Sequence, residues 1–307
     1  MITLNSLNLG DSIQLLKEIP LCSIDHVVSD IPYGISYDDW DVLYNNTNSA
    51  LLGSSPAQEN AGKVFKSRGK PLNGWSEADK KIPIEYYKWC KSWTDTLFNI
   101  LKPASSVFIF AGRRYAHRAI CAFEDSGFIF KDMIAWNKIK SAHRAQHISK
   151  VFERRGDFKN AQKWEGWKVG NLRPIFEPIL CFMKPYQIGG TIADNLLEYN
   201  LGAYNESIVK LYSQSPNNLI SFGSMKSDTG LHPAQKPLEL MKYLIELVSK
   251  EGQVILDPFA GSGTTLLACK ELNRNFIGIE KNEIFYNLAK TRINKPLTTQ
   301  LNFFRKS

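Results

Sequence analysis

Asp30, Glu280 and a glycine turn between Asp257 and Thr265 are the parts of this chain whose residue types and spacing could do chemistry. The turn reads Val254-Ile-Leu-Asp257-Pro258-Phe259-Ala260-Gly261-Ser262-Gly263-Thr264-Thr265. Its two glycines let the backbone pass close beneath a ligand, and the helix that follows offers free N–H donors at its start. A phosphate-cradling GxxxxGK[ST] loop is excluded because no lysine follows Gly263, and the GxGxxG dinucleotide fingerprint is incomplete because Leu266 takes the place of its third glycine. The next strand, Phe276-Ile-Gly-Ile279, runs into Glu280, where a carboxylate can accept from both ribose hydroxyls of an adenosine ligand. The bland alternative is a tight strand–helix turn with a surface glutamate. The ordered succession of strand, glycine turn, helix, strand and acid argues against it. Near the N-terminus, Ser29-Asp30-Ile31-Pro32-Tyr33-Gly34 closes another buried strand and places a carboxylate at its tip.

The surrounding pattern says what positions these groups. Short apolar runs predict strands over Ile2–Asn5, Ile24–Ser29, Ser106–Ala111, Met133–Trp136, Ile179–Met183, Val254–Asp257 and Phe276–Ile279. Helical spacing and start signals predict helices over Ile13–Glu18, Pro83–Leu101, Tyr115–Ser126, Leu238–Lys250, Gly263–Leu272 and Glu283–Asn294, the first with Asp11-Ser12 as its cap. Alternation of strands and helices implies an α/β fold, doubly wound around a mainly parallel sheet. Residues 37–82 lose periodicity and read as a mobile loop, and the stretch after Met183 up to about Leu231 reads as loop-rich.

Length and composition bound the function. With 307 residues, 43% hydrophobic and 22% charged, the chain is an ordinary globular one with ample length for a core. No apolar run reaches the ~18 residues of a membrane span, and the start lacks a secretory signal. Five cysteines, the closest pair 31 residues apart, support neither a disulfide framework nor a CxxC zinc site, and no metal is expected. The chain reads as cytoplasmic. Its net charge of +8 is concentrated: between Lys131 and Lys184 lie twelve Lys/Arg against five Asp/Glu. Such a segment either binds a polyanion or forms a solvated basic face.

The two chemical segments together resemble the catalytic DPPY and cofactor FxGxG motifs of DNA amino-methyltransferases. Their order, catalytic motif first and cofactor motif last, is similar to the β group of adenine-N6 and cytosine-N4 enzymes. His232-Pro-Ala-Gln235-Lys236-Pro237 resembles the family segment ahead of the cofactor motif, and Trp136-Asn-Lys138 the segment beside the target base. The resemblance covers residues 1–38, 95–140 and 174–295. It implies a Rossmann-like, circularly permuted, S-adenosyl-L-methionine-dependent methyltransferase of class I with an inserted target-recognition region. The expected division is a catalytic half at 1–140, the recognition region at 141–230 and a cofactor-binding half at 231–307. Ile31 stands where the family has proline; the position supplies a backbone carbonyl, which Ile retains while losing some stiffness. Because the chain ends soon after Asn294, the strand that should follow Glu280 and its helix must come from the N-terminus. That makes Ile2–Asn5 the candidate and Gly10-Asp11-Ser12 its exit, with Asp11 either accepting from the cofactor's adenine amine or only capping its helix.

The resemblance implies roles residue by residue. Asp30, Ile31, Pro32 and Tyr33 are expected to be catalytic. Asp30 and the Ile31 carbonyl hold the target amine, and Tyr33 stacks on a base flipped from the duplex. Asp11, Asp30, His232, Gln235, Lys236, Asp257, Pro258, Phe259, Ala260, Gly261, Ser262, Gly263, Thr264, Thr265, Glu280 and Lys281 are expected around S-adenosyl-L-methionine. Trp136, Lys138, Lys140, Arg144, His147, Lys150, Arg154 and Arg155 are expected to contact double-stranded DNA. A cytosine-C5 mechanism is excluded, since it needs a Pro-Cys nucleophile that this chain lacks. Asp at the first motif position favours adenine N6 over cytosine N4. An RNA methyltransferase or a non-catalytic DNA-binding protein are the remaining alternatives. A bacterial, archaeal or phage origin, a homodimer and a cognate restriction endonuclease are compatible with the family.

Overall fold

The computed structural model describes residues 2–34, 77–139, 145–213, 215–223 and 235–296. The chain begins with β1 (Ser6–Leu9), α1 (Ser12–Leu15, prolonged by a tight turn over Leu16–Glu18), β2 (His26–Asp30), α2 (Glu77–Ile100), β3 (Ser106–Phe110), α3 (Ala116–Glu124) and β4 (Ile129–Asn137). It continues through β5 (Gln146–His147), α4 (Ile148–Arg154), α5 (Phe158–Lys163), β6 (Lys168–Val169), β7 (Phe176–Met183), α6 (Ile192–Tyr199), α7 (Glu206–Tyr212) and β8 (Leu219–Ser221). It closes with α8 (Leu238–Val248), β9 (Val254–Asp257), α9 (Thr264–Glu271), β10 (Asn275–Glu280) and α10 (Glu283–Asn294).

Among the described strands, eight form one sheet in the order β1-β10-β9-β2-β3-β7-β4-β8. The first five are parallel neighbours. β7 pairs antiparallel with β3 and with β4, and β8 follows β4 in parallel, so β7 alone runs against the rest. Alternation along the strands feeds two cores. Val27, Ile109 and Leu256 face a layer with α2 and α3, whereas Val28, Phe110 and Ile255 face α8 and α9. The sheet is thus covered on both faces, as a doubly wound fold requires. No helix among the described residues is long and apolar enough to cross a membrane.

The N-terminal strand does lie beside β10, but four residues later than expected. Ile2–Asn5 is not the strand: Asn5 takes a left-handed conformation (φ 58°), and its side chain accepts from the Phe276 N–H at 3.1 Å. That turn aligns Ser6–Leu9 with Ile277–Glu280. β2 likewise extends one residue further than read, so Asp30 is its last residue. The helix expected from Pro83 already begins at Glu77; of the expected loop 37–82, residues 37–76 lie outside the described residues. The stretch read as loop-rich holds α6, α7 and β8. α6 starts with a capping box, Thr191 and Asp194 bonding each other's backbone N–H, a T-x-x-D signal legible in sequence. Between β4 and β7, the antiparallel pair β5–β6 closes a small unit around α4 and α5.

Candidate active site

Four adjacent parallel strands deliver carboxylates to one edge of the sheet. β2 ends on Asp30, β9 on Asp257, β10 on Glu280, and β1 leads through Gly10 into Asp11. From β9 the chain winds outward through β10, and from β2 it winds the other way through β3. The carboxyl ends of β9 and β2 therefore form a topological switch point, the usual ligand crevice of such sheets. A cavity of about 380 Å3 opens there.

The glycine turn shapes one wall. Gly261 has φ +52°, and a Cβ built on it meets open space. Gly263 has φ +76° at the start of α9, where a Cβ would lie 2.8 Å from the Cβ of Ala289. The first glycine leaves room on the cavity side; the second lets α10 pack against the turn. Glu280 ties the turn to β10, accepting the Gly261 N–H at 2.8 Å and the Asn282 N–H at 2.7 Å, while burial raises its carboxyl above the ordinary range. Asp257 accepts from the Ser29 hydroxyl at 2.7 Å and the Phe259 N–H at 3.1 Å. Burial pushes its carboxyl up to about 6, against the pull of hydrogen bonds from Thr265 and Ser29. Asp11 caps α1 through the Ile13 N–H at 2.9 Å, and its other oxygen pairs with Lys281 at 2.7 Å.

Beside the cavity, four elements bring together a charge network. Lys236 Nζ donates to Asp30 Oδ2 at 2.5 Å and lies 3.2 Å from Glu177 Oε1. Lys138 Nζ donates to Glu177 Oε2 at 2.7 Å. The Tyr33 hydroxyl contacts both Asp30 Oδ1, at 3.0 Å, and Glu177 Oε1. Lys236 also sits over the rings of Tyr33 and Phe110, 5.4 and 5.2 Å from their centroids. Lys236 is 6% exposed and Glu177 8%, so each charge depends on its partners. Burial pushes the Asp30 carboxyl up to about 6, with Lys236 drawing it down and Glu177 driving it further up. Burial also opposes the charge of Glu177, yet Lys236 and Lys138 hold its carboxyl down at about 2. For Lys236, the two carboxylates outweigh burial and raise the ammonium above its ordinary value. Removing one member of such a buried pair typically destabilises by ~3–5 kcal/mol, because the other is left uncompensated.

A family model described as DNA methylase, of the N6/N4 type, matches residues 24–291. The chain belongs to the N6/N4 DNA methylase family. It is 58% identical over 289 residues to the type II methyltransferase M.HindIII of Haemophilus influenzae, covering 92% of this chain and 93% of that protein. M.HpaI of Haemophilus parainfluenzae is 27% identical over 290 residues, 93% of this chain and 73% of that one. Among solved structures, the M1.HpyAVI–SAM complex superposes with a TM-score of 0.54 at 20% identity, over 94% of this chain and 99% of its own. The cytosine-N4-specific PvuII DNA methyltransferase reaches 0.61 at 16%, over 97% and 89%. The β-group resemblance read from the motifs is borne out, and the chain is a DNA amino-methyltransferase.

In this methylase the cavity gathers Asp11, Asp30, Pro32, Gln235, Lys236, Asp257, Phe259, Ala260, Gly261, Ser262, Thr264, Thr265, Glu280 and Lys281. Ile31, Tyr33, Pro258 and Gly263 do not line it. Ile31 is buried, the Pro258 carbonyl accepts from the Ser12 hydroxyl, and Gly263 packs on α10. The Pro32 carbonyl accepts from the Tyr86 hydroxyl at 3.0 Å, which fixes the turn after Asp30. Gly112 backs Tyr33 so closely that a Cβ there would lie 2.8 Å from Tyr33 Cβ. His232, Lys140 and Arg144 lie outside the described residues.

One expected DNA contact requires correction. Trp136 is 4% exposed, donates its indole N–H to the Phe222 carbonyl at 2.9 Å and packs edge-on against Phe110; it is a core residue. Lys138 is partly exposed and pairs with Glu177. His147, Lys150, Arg154 and Arg155 are exposed on β5, on α4 and just beyond it. Sequence reasoning missed Ser12, Ile13, Trp89, Asn282 and Phe285 in the cavity wall, and Glu177 in the charge network. Trp89 was legible only as part of a helical apolar stripe. Glu177 stood as one acid in a basic run, with no motif around it.

Proposed function

We propose that this methylase transfers a methyl group from S-adenosyl-L-methionine to the exocyclic N6 of an adenine flipped out of double-stranded DNA at a specific sequence. The observation that carries this reading is that Asp30, at the tip of β2, lines the same cavity as the glycine turn and Glu280.

The residues present fit the cofactor. About 380 Å3 is within the ~300–1,000 Å3 of small-molecule sites, and Gly261 leaves space where a side chain would intrude. Gln235 lines the cavity with both amide atoms buried and, among the described residues, without a hydrogen-bond partner, a donor and acceptor suited to a polar ligand. Glu280 and Asp11 offer remaining lone pairs to ribose and adenine, and Phe259, Trp89 and Phe285 supply apolar wall. When bound, S-adenosyl-L-methionine supplies an electrophilic methyl group on a sulfonium.

The chain's own part is positioning and charge. The exocyclic amine of adenine is a weak nucleophile because its lone pair is delocalised into the ring. Asp30 accepts one N–H and the Ile31 carbonyl a second, which turns the lone pair toward the methyl donor. The Asp30 carboxylate also stabilises the positive charge that develops on nitrogen. A base inside a duplex cannot reach this pocket, hence flipping. Asp at position 30 favours adenine over cytosine. Exposed Lys150, Arg154 and Arg155 neutralise phosphates, and the unit between β4 and β7 reads the target from a cytoplasmic, site-specific enzyme of restriction–modification type.

The test is to incubate the enzyme with unmethylated DNA and the cofactor, digest to nucleosides and identify the product by mass spectrometry. N6-methyladenine is expected. N4-methylcytosine would overturn the base assignment, and methylation of RNA alone would overturn the substrate.

A further inference from the structure

Tyr33 and Lys236 each stand between two carboxylates that belong to different strands. The Tyr33 hydroxyl has one proton and faces both Asp30 Oδ1 and Glu177 Oε1. Lys236 Nζ is 2.5 Å from Asp30 Oδ2 and 3.2 Å from Glu177 Oε1. If Glu177 were neutral, both donors would turn fully to Asp30 and occupy the lone pairs that the target amine needs. Glu177 does not line the cavity; it reaches the site through Lys236 and Tyr33. Lys138 secures it from the far side at 2.7 Å.

We propose that Glu177 is a positioning residue for methyl transfer: by competing with Asp30 for the Lys236 ammonium and the single Tyr33 proton, it keeps Asp30 oriented and with acceptor capacity left for the amine. This rests on the reading of Asp30 as the group that binds that amine. Among the described residues, the charged and titratable groups facing the pair are Lys138 just after β4, Lys236 ahead of α8, Asp30 and Tyr33 at and after the end of β2, and Asp257 at the end of β9. Arg113 is farther off, over the ring of Phe176. The negative charge of Glu177 is also one cause of the raised Asp30 carboxyl. Removing it should therefore make Asp30 ionise at lower pH.

The experiment follows single-turnover methyl transfer against pH in wild type, Glu177→Gln, Glu177→Asp and Lys138→Gln, with cofactor affinity measured alongside. Glu177→Gln is expected to slow transfer at least ~10-fold and to move the acid limb of the profile down by roughly half a pH unit or more. Cofactor affinity should stay within ~3-fold. Glu177→Asp should restore part of both the rate and the limb. Lys138→Gln should move the limb up, since Lys236 is then drawn more to Glu177 and less to Asp30. An acid limb that stays in place in both Gln variants would overturn the proposal, even if both are slower, because a purely structural role lowers activity without moving it. If Glu177→Gln fails to fold, the partly exposed Lys138→Gln decides the matter by the direction of its limb. Asp30→Ala serves as the control. Full activity there would overturn the reading of Asp30 itself, whereas an inactive Asp30→Ala beside unmoved limbs would overturn only the role of Glu177.

Discussion

Asp30, Lys236 and Glu177 meet below the surface from three places far apart in sequence, whereas Lys150, Arg154 and Arg155 stand exposed on and just beyond one seven-residue helix. In the first region each charge has partners fixed by the sheet. In the second, the interactions are local: Arg154 Nε donates to the Lys150 carbonyl, and Lys150 lies 3.9 Å from Glu153. On the proposed function, the difference follows from the tasks. Holding a weak nucleophile in line needs groups that do not reorganise, so the fold accepts buried charges at the switch point. Meeting a phosphate backbone needs long side chains in water, where counterions are released on binding.

The contrast can be sharpened first within the glycine turn. Gly263→Ala should destabilise by roughly 3 kcal/mol, read from denaturant midpoints, combining left-handed strain of ~1–2 kcal/mol with the clash against Ala289. Gly261→Ala meets no such neighbour. It should lose only the strain in stability but weaken cofactor binding about tenfold, as expected if that space belongs to the ligand. Equal stability losses with unchanged cofactor affinity would break the assignment of the two glycines.

In the exposed region, the triple change of Lys150, Arg154 and Arg155 to Ala should weaken DNA binding by about 10²-fold near 0.1 M salt. It should flatten the log–log salt dependence by roughly two to three. Unfolding midpoints should barely move. A large stability loss with unaltered DNA affinity would show that these side chains are structural.

A smaller effect separates Trp136 from Lys150, Arg154 and Arg155. Trp136→Phe removes the bond to the Phe222 carbonyl and should destabilise by ~1 kcal/mol while leaving DNA affinity within about twofold. A selective loss of DNA affinity would restore it as a contact.

These two regions were also unequally legible in the sequence. Asp30, Asp257 and Glu280 could be placed because each ends a short apolar run, and strand ends are where doubly wound folds put ligands. The helix read over Glu283–Asn294 matches α10 residue for residue, since Asn282 caps it and its spacing is regular. The sheet neighbour of β10 followed from topology, but its residues did not, because the turn at Asn5 depends on contacts with Asn275 and Phe276. Glu177 was illegible for a stronger reason. Its partners come from β2, β4 and the approach to α8, and a lone acid shows nothing until folding brings them together. Trp136 misled because its expected role came from the resemblance of Trp136-Asn-Lys138 to a family segment beside the target base, and a tryptophan there fits a core edge as well. Only burial distinguishes them.

The most direct test of the central claim is to measure methyl transfer and cofactor affinity side by side in Asp30→Ala. If Asp30 holds the amine and answers the charge forming on it, transfer should fall by at least ~10³-fold, while S-adenosyl-L-methionine binds within about threefold of wild type. Transfer at near wild-type rate would contradict the account.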